Sequence, residues 1–187
     1  AIATKSDLIL RDRDILTSIQ SHSPVICKLT VTTADDALAA KIEPRAPSPS
    51  RRLAALEKLA GAGLFCGVLL MPVLPFLEDS DEGVLAVVEG AAKAGAKFIY
   101  PAFGVTMRQG QREYFLDGLE QAFPGQGLKG RYLRQYGDRY ECASPRAGAL
   151  WGVFTAACRE RGILYEMKSI IRAATLRYGD RQLTFFD

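Results

Sequence analysis

The feature that most constrains this chain is a fourfold alternation of short β-like runs with amphipathic helical stretches, which fills roughly the first 105 residues. The β-type runs lie at 2–5, 25–32, 65–73 and 97–103, and helical patterning covers 8–19, 50–60 and 81–94. Apolar positions recur at helical spacing in each of the latter: Leu8, Ile9, Ile15, Leu16 and Ile19; then Leu53, Leu56 and Leu59; then Val84, Leu85, Val87, Val88 and Ala91. Gly61, Gly63 and Gly95 close the second and third helices, and Asp79 with Glu82 reads as a capping box opening the third. Successive βα units predict a parallel sheet with helices packed outside it. A closed eight-stranded (β/α) barrel needs about 250 residues and twice as many strands. The predicted fold is therefore α/β: a partial (β/α) TIM-like barrel of about four parallel strands, with a strand edge left uncovered at the start of the chain.

Past residue 107 the alternation stops, and helices are expected at 111–122, 128–136, 145–161 and 167–176. This divides the chain into a partial barrel, 1–107, and a helical C-terminal region, 108–187, joined through Gly104 and Gly110 without a flexible linker.

At 48% hydrophobic residues, 187 residues suffice to bury a substantial core. The longest apolar stretch, 67–77, is interrupted by Pro72 and Pro75 and reads as a buried strand entering a loop, not a membrane span. Cys27, Cys66, Cys142 and Cys158 are widely scattered with no C-x-x-C pair, which points away from zinc and from a disulfide framework and towards free thiols in the cytoplasm. The net charge of +3 is uneven: residues 108–187 carry thirteen Lys/Arg against nine Asp/Glu, and residues 1–107 eleven against twelve. Tyr114, Phe115, Tyr132, Tyr136, Tyr140, Trp151, Tyr165 and Tyr178 are interleaved with those cations, a composition compatible with nucleic-acid contacts or with a solvated surface over an aromatic core.

Ligands of parallel α/β folds bind at the carboxyl ends of the strands. The polar residues falling there are Thr4, Lys5, Ser6 and Asp7 after the first β run, Thr30, Thr32 and Thr33 after the second, and Tyr100 near the fourth. Between the second run and its helix lies Lys41-Ile42-Glu43-Pro44-Arg45-Ala46-Pro47-Ser48-Pro49-Ser50-Arg51-Arg52. Its prolines fix φ and disfavour helix at the residues before them, so Glu43 and Arg45 are held in a stiff, extended presentation suited to a binding loop. The plainer reading of the same stretch is a helix entrance, with Ser48 as N-cap and Pro49 at the first helical position.

Four strings in order, Thr4-Lys5-Ser6-Asp7, Leu29-Thr30-Val31-Thr32-Thr33, Ile42-Glu43-Pro44-Arg45-Ala46-Pro47-Ser48 and Gly67-Val68-Leu69-Leu70-Met71-Pro72-Val73, resemble the radical S-adenosylmethionine family. The resemblance is to its spore photoproduct lyase-like branch, the DNA repair photolyases, and it runs from residue 3 to about 105. The stretch from Tyr100-Pro101-Ala102-Phe103-Gly104 onward is also similar to the C-terminal region of that branch. The resemblance implies that Lys5 contacts the carboxylate of S-adenosylmethionine, with Ser6 and Thr30 beside it and Thr32 on the methionine or ribose portion, and that Glu43 and Arg45 sit at the same mouth. It further implies a [4Fe–4S] cluster, but the C-x-x-x-C-x-x-C motif that would hold one is nowhere in these residues. The expectation is thus the second half of a radical S-adenosylmethionine barrel plus a helical tail. A fragment of this kind is expected to be inactive by itself and to hold no cofactor tightly.

At the C-terminus, Gln182-Leu183-Thr184-Phe185-Phe186 is similar to peptides that dock on the bacterial β sliding clamp, with Gln182, Leu183, Phe185 and Phe186 as anchors; docking on the protein itself is the alternative. His22, before Pro24, reads as a solvated turn residue. Two other function classes remain open: a (β/α) lyase or aldolase with Lys5 as Schiff-base nucleophile, and a non-catalytic module recruiting repair factors through the tail. Self-association through the free sheet edge is a further expectation.

Overall fold

A computed structural model describes residues 1–178. The first part runs β1 (Ile2–Thr4), a 3₁₀ segment (Asp7–Asp12), α1 (Arg13–Gln20), β2 (Ile26–Thr30), α2 (Asp36–Ile42), α3 (Pro49–Gly61), β3 (Phe65–Leu70), α4 (Asp81–Lys93) and β4 (Phe98–Pro101). The strands form one sheet in the order β1-β2-β3-β4, parallel at every pairing. Four successive βα-type units thus give the mixed α/β fold with a parallel sheet that the alternation predicts; no closed barrel is formed by the described residues.

β2 and β3 are covered on both faces, which is why they read as nearly continuous apolar runs. Cys27, Leu29, Cys66, Val68 and Leu70 are all fully buried, and α3 and α4 lay Leu56, Leu59, Val87 and Val88 over them. The strands β3 and β4 also approach closely where a side chain is absent: a Cβ on Gly67 would lie 2.3 Å from the carbonyl oxygen of Phe98, its partner across the pairing. β1, by contrast, is an edge strand and largely exposed.

Three local expectations are corrected. The single helix expected at 8–19 is a 3₁₀ segment capped by the Ser6 hydroxyl, which accepts from Leu8 N–H at 3.1 Å, followed by the shorter α1. Ile9 and Leu16 enter the core, but Leu8 and Ile15 stay exposed, because nothing among the described residues packs beyond the β1 edge. The loop read from residue 41 begins inside a helix: Asp35 caps α2 through Ala37 and Leu38 N–H at 2.8 and 3.0 Å. The α4 cap is Ser80, which accepts from Gly83 N–H at 2.9 Å; Asp79 instead turns back to Phe76 N–H at 2.7 Å. The helix-entrance reading of the proline loop holds, with Ser48 accepting from Arg51 N–H and Pro49 opening α3.

After β4 the chain forms β5 (Gly104–Thr106), α5 (Gln111–Ala122), α6 (Leu128–Tyr136) and β6 (Glu141–Ala143), with β5 and β6 antiparallel. These two three-residue strands were not anticipated; a run that short carries no readable alternation. The segment has its own core of Met107, Leu116, Leu119, Phe123, Leu128, Tyr132, Tyr136 and Cys142, resting on Leu38, Ile42, Phe76 and Leu77. It therefore sits as a cap on the loops that leave the carboxyl ends of β2 and β3. α7 (Ala147–Glu160) then returns to the sheet, with Leu150, Phe154, Ala157 and Cys158 in the first core. Leu164 bridges β4 in parallel, its carbonyl accepting from Ile99 N–H at 2.8 Å and its N–H donating to the Lys97 carbonyl at 3.1 Å. The cap is an excursion between β4 and α7, after which the βα pattern resumes for one more step. α8 (Met167–Thr175) and a 3₁₀ turn (Leu176–Tyr178) end the described chain.

Candidate functional site

Residues from four segments meet where β1 and β2 end. Lys5, just past β1, donates its ammonium to Glu43 Oε1. Glu43 ends α2, and its other oxygen accepts from Arg52 Nη2 at 2.5 Å. Arg52, in the first turn of α3, is only 1% exposed. Its Nη1 donates to the Thr30 carbonyl at 2.9 Å and its Nε to the Pro47 carbonyl at 2.7 Å, so the guanidinium caps the end of β2 and closes the proline loop at once. A buried arginine with every visible partner an oxygen acceptor meets the condition on which a buried charge is tolerated. Its neighbour Arg51 faces outward and holds Asp7 at 2.6 Å, tying the 3₁₀ segment to α3.

The ionisation of Glu43 follows from two opposed influences. Burial disfavours its charged form, but the hydrogen bonds from Lys5 and Arg52 outweigh it and hold its carboxyl below the ordinary value of 4.5. The Lys5–Glu43–Arg52 cluster therefore carries two positive charges against one negative near neutral pH. A net positive charge at the carboxyl ends of parallel strands can receive an anionic group such as a carboxylate.

A second carboxyl lies deeper. Glu78, buried beyond β3, accepts from Thr32 Oγ1 at 2.6 Å and from Leu74 N–H at 2.9 Å. Burial raises its pKa, and the bonds from Thr32 and Leu74 only partly offset this. Beside it Asp79 accepts from Ser144 Oγ at 2.5 Å, joining the β3 loop to the start of α7. Phe76, between these two loops, has φ of 68°, unusual for a residue with a side chain. Its ring carries the Arg131 guanidinium at 4.0 Å and packs edge-on against Tyr132, whose hydroxyl donates to the Pro75 carbonyl at 2.8 Å. A cleft of about 580 Å³ opens on the other side of this loop, between Lys41, Ile42, Pro44 and Leu74 and the α5 residues Tyr114 and Phe115.

The structure thus brings together Lys5 and Glu43, and links Thr30 to them through its backbone carbonyl. Ser6 serves as a cap, with its N–H donating to Thr4 Oγ1 at 2.9 Å, and Thr32 is engaged by Glu78. Arg45 is exposed on the turn after α2. Gln182, Leu183, Phe185 and Phe186 lie outside the described residues. Arg52, Glu78 and the Asp79–Ser144 pair escaped the sequence reading. For Arg52 the available signal was its spacing: it lies four and seven residues before Leu56 and Leu59, on the inward face of α3. The interleaved aromatics divide: Tyr132 and Tyr136 are buried in the cap core with Phe115 packed against it, Tyr165 packs on the first core, and Tyr114, Tyr140 and Trp151 stay exposed. The four cysteines are buried, and burial pushes the Cys66 and Cys158 thiols up to about 12, far from the thiolate form that metals require. Among the described residues no group of three His, Cys, Asp or Glu could hold a metal ion, and no helix is long and apolar enough to cross a membrane.

No family model and no solved structure matches the chain. It is similar to an uncharacterized protein of Mycobacterium tuberculosis, 33% identical over 136 residues, which cover 73% of this chain and 39% of that protein. An uncharacterized protein of Methanocaldococcus jannaschii is 32% identical over 124 residues, 66% of this chain and 44% of its own length. A third, from Acidianus two-tailed virus, is 32% identical over 102 residues, 53% and 33% of the two chains. The chain spans less than half the length of each of these relatives.

Proposed function

We propose that this chain is the C-terminal part of a radical S-adenosylmethionine enzyme of the spore photoproduct lyase-like type, acting on nucleic acid, with its sheet as the second half of a TIM-like barrel. The observation that carries the reading is the net-positive Lys5–Glu43–Arg52 cluster at the carboxyl ends of β1 and β2, in which Lys5 comes from the T-K-S string, Glu43 from the E-P-R-A-P-S string and Arg52 from the first turn of α3. In this reading Lys5 receives the carboxylate of S-adenosylmethionine. The donor set suits that half of the cofactor machinery. It does not suit the iron–sulfur half: four buried, scattered thiols offer no C-x-x-x-C-x-x-C arrangement, so the cluster ligands belong to residues outside this sequence. When bound, the cluster would supply the electron that cleaves the sulfonium, and the 187 residues alone would be inactive.

The decisive experiment is anaerobic iron–sulfur reconstitution of the full-length gene product, followed by assay for 5′-deoxyadenosine after reduction with dithionite. The expected result is the charge-transfer absorbance of a thiolate-bound iron–sulfur cluster and release of 5′-deoxyadenosine. A full-length protein that takes up no cluster would end the reading. The Schiff-base alternative has less support, because it needs a desolvated amine, whereas Lys5 is 43% exposed and held by a carboxylate. Borohydride trapping with a carbonyl substrate tests it directly. Recruitment through the 182–187 tail is tested by a sliding-clamp pull-down with and without those residues; equal retention would dismiss it.

A further inference from the structure

Lys5 is placed by a relay that starts in the core. An exposed lysine–carboxylate pair is worth little by itself, because two long side chains must be held in one geometry. Here one of the two is already fixed. Arg52 cannot move without abandoning the Thr30 and Pro47 carbonyls, it anchors Glu43 Oε2 at 2.5 Å, and Glu43 Oε1 then presents a stationary acceptor to the Lys5 ammonium. Glu43 is itself only 14% exposed, so its carboxylate is screened less than a surface group. An ammonium has three N–H donors, and Glu43 takes one, leaving the others for a ligand. Arg52 also sets the sign of the site. Lys5 with Glu43 alone would be neutral and indifferent to anions; the buried guanidinium restores one net positive charge, matching one carboxylate.

We propose that Arg52 and Glu43 are positioning residues that convert Lys5 into a receptor specific for the carboxylate of an amino-acid moiety. This rests on the reading of Lys5 as the S-adenosylmethionine carboxylate contact. Positioning and simple charge predict opposite signs for Glu43→Gln. If Glu43 merely competes with the ligand for Lys5, removing its charge tightens anion binding. If it positions Lys5, binding weakens although the site has become more positive.

The test uses the full-length, anaerobically purified gene product. Equilibrium dialysis measures affinity for S-adenosylmethionine and for its decarboxylated analogue in the wild type, Glu43→Gln, Glu43→Asp and Arg52→Lys. The expected result is a loss of about tenfold in S-adenosylmethionine affinity for Glu43→Gln, the scale of one charge-assisted hydrogen bond, with the preference for the carboxylate-bearing ligand largely gone and partly recovered in Glu43→Asp. Unchanged or tighter binding with the preference intact would overturn the proposal. In the same proteins, acetic anhydride labelling read by mass spectrometry gives the acylation rate of Lys5 relative to Lys28. The relay predicts that Glu43→Gln raises that ratio several-fold; an unchanged ratio would overturn it whatever the ligand. Failure of the wild type to bind S-adenosylmethionine would instead break the ligand assignment, while the labelling still decides whether Glu43 holds Lys5.

Discussion

The sheet unit and its cap are held together by different means. The first core is aliphatic: Leu29, Leu56, Leu59, Val68, Leu70, Val87 and Ile99, all without exposure, layered on a parallel sheet whose backbone groups pair with one another. The cap core is aromatic, with Phe123, Tyr132 and Tyr136 at its centre, and it is pinned by hydroxyl groups that reach backbone carbonyls: Tyr132 to Pro75 and Tyr136 to Ala143 at 2.7 Å. Arg112 adds donations to the Gly137 and Arg139 carbonyls. A two-stranded ribbon and two helices make too small a core to be stable alone. Large rings with polar tips let this segment borrow surface from the β3 loop and satisfy its turns at the same time. The cap therefore depends on the sheet unit for part of its core.

That dependence can be tested from either side. The largest effect is expected for Leu56→Ala, which leaves a cavity under the centre of the sheet and should cost about 3 kcal/mol of global stability. Urea denaturation monitored by circular dichroism measures it; a loss confined to the cap would contradict the dependence described here. Arg52→Met should cost about as much, on the order of 3 kcal/mol, because the Thr30 and Pro47 carbonyls lose their donor and Glu43 is left with Lys5 alone. Tyr132→Phe is a smaller change, about 1 kcal/mol for one buried hydrogen bond. Its signature is where it acts: amide hydrogen exchange should accelerate in 107–142 while β2 and β3 keep their protection, and uniform acceleration would show that the two cores unfold as one.

The smallest effects concern pH, where Glu43 and Glu78 have opposite signs. Glu43 has a lowered pKa when folded, so its contribution is present above its unfolded value near 4.5 and is lost as pH falls through the folded one. Glu78 has a raised pKa, so the folded state binds more protons and stability declines as pH rises from about 4.5 through the folded value. Glu43→Gln should flatten the acid limb of a stability-against-pH curve, and Glu78→Gln the limb above 4.5. If both substitutions flatten the same limb, one of the two assignments is wrong.

The alternation of βα units, the helix entrance at Ser48-Pro49 and the placement of Lys5 just past the first strand were all legible in the sequence. Each rests on a local rule of periodicity, capping or the carboxyl-end position of ligands. What was missed has a common cause. α2 is a seven-residue helix with a short apolar pattern, masked by the prolines that follow it. β5 and β6 are three residues each and exist only because residues 104–106 meet 141–143 across two helices. Glu78 reads as an acidic residue near a helix start, yet it is buried, bonded to Thr32 past the end of β2 and to the Leu74 backbone.

The sequence by itself determined the parallel βα unit, since burial on both faces of a strand and one face of a helix is written into residue spacing. Only the tertiary structure decided that the cap is an excursion before α7, which of the aromatics are core and which exposed, and that Arg52 reaches inward to fix Glu43 and through it Lys5. Those outcomes depend on contacts between residues far apart in the chain, whose geometry no local periodicity encodes. Arg52 and Arg51 are identical in type and adjacent in sequence; one packs at 1% exposure and the other reaches solvent, and the packing of α3 on β2 gives the inward one its carbonyl and carboxylate partners.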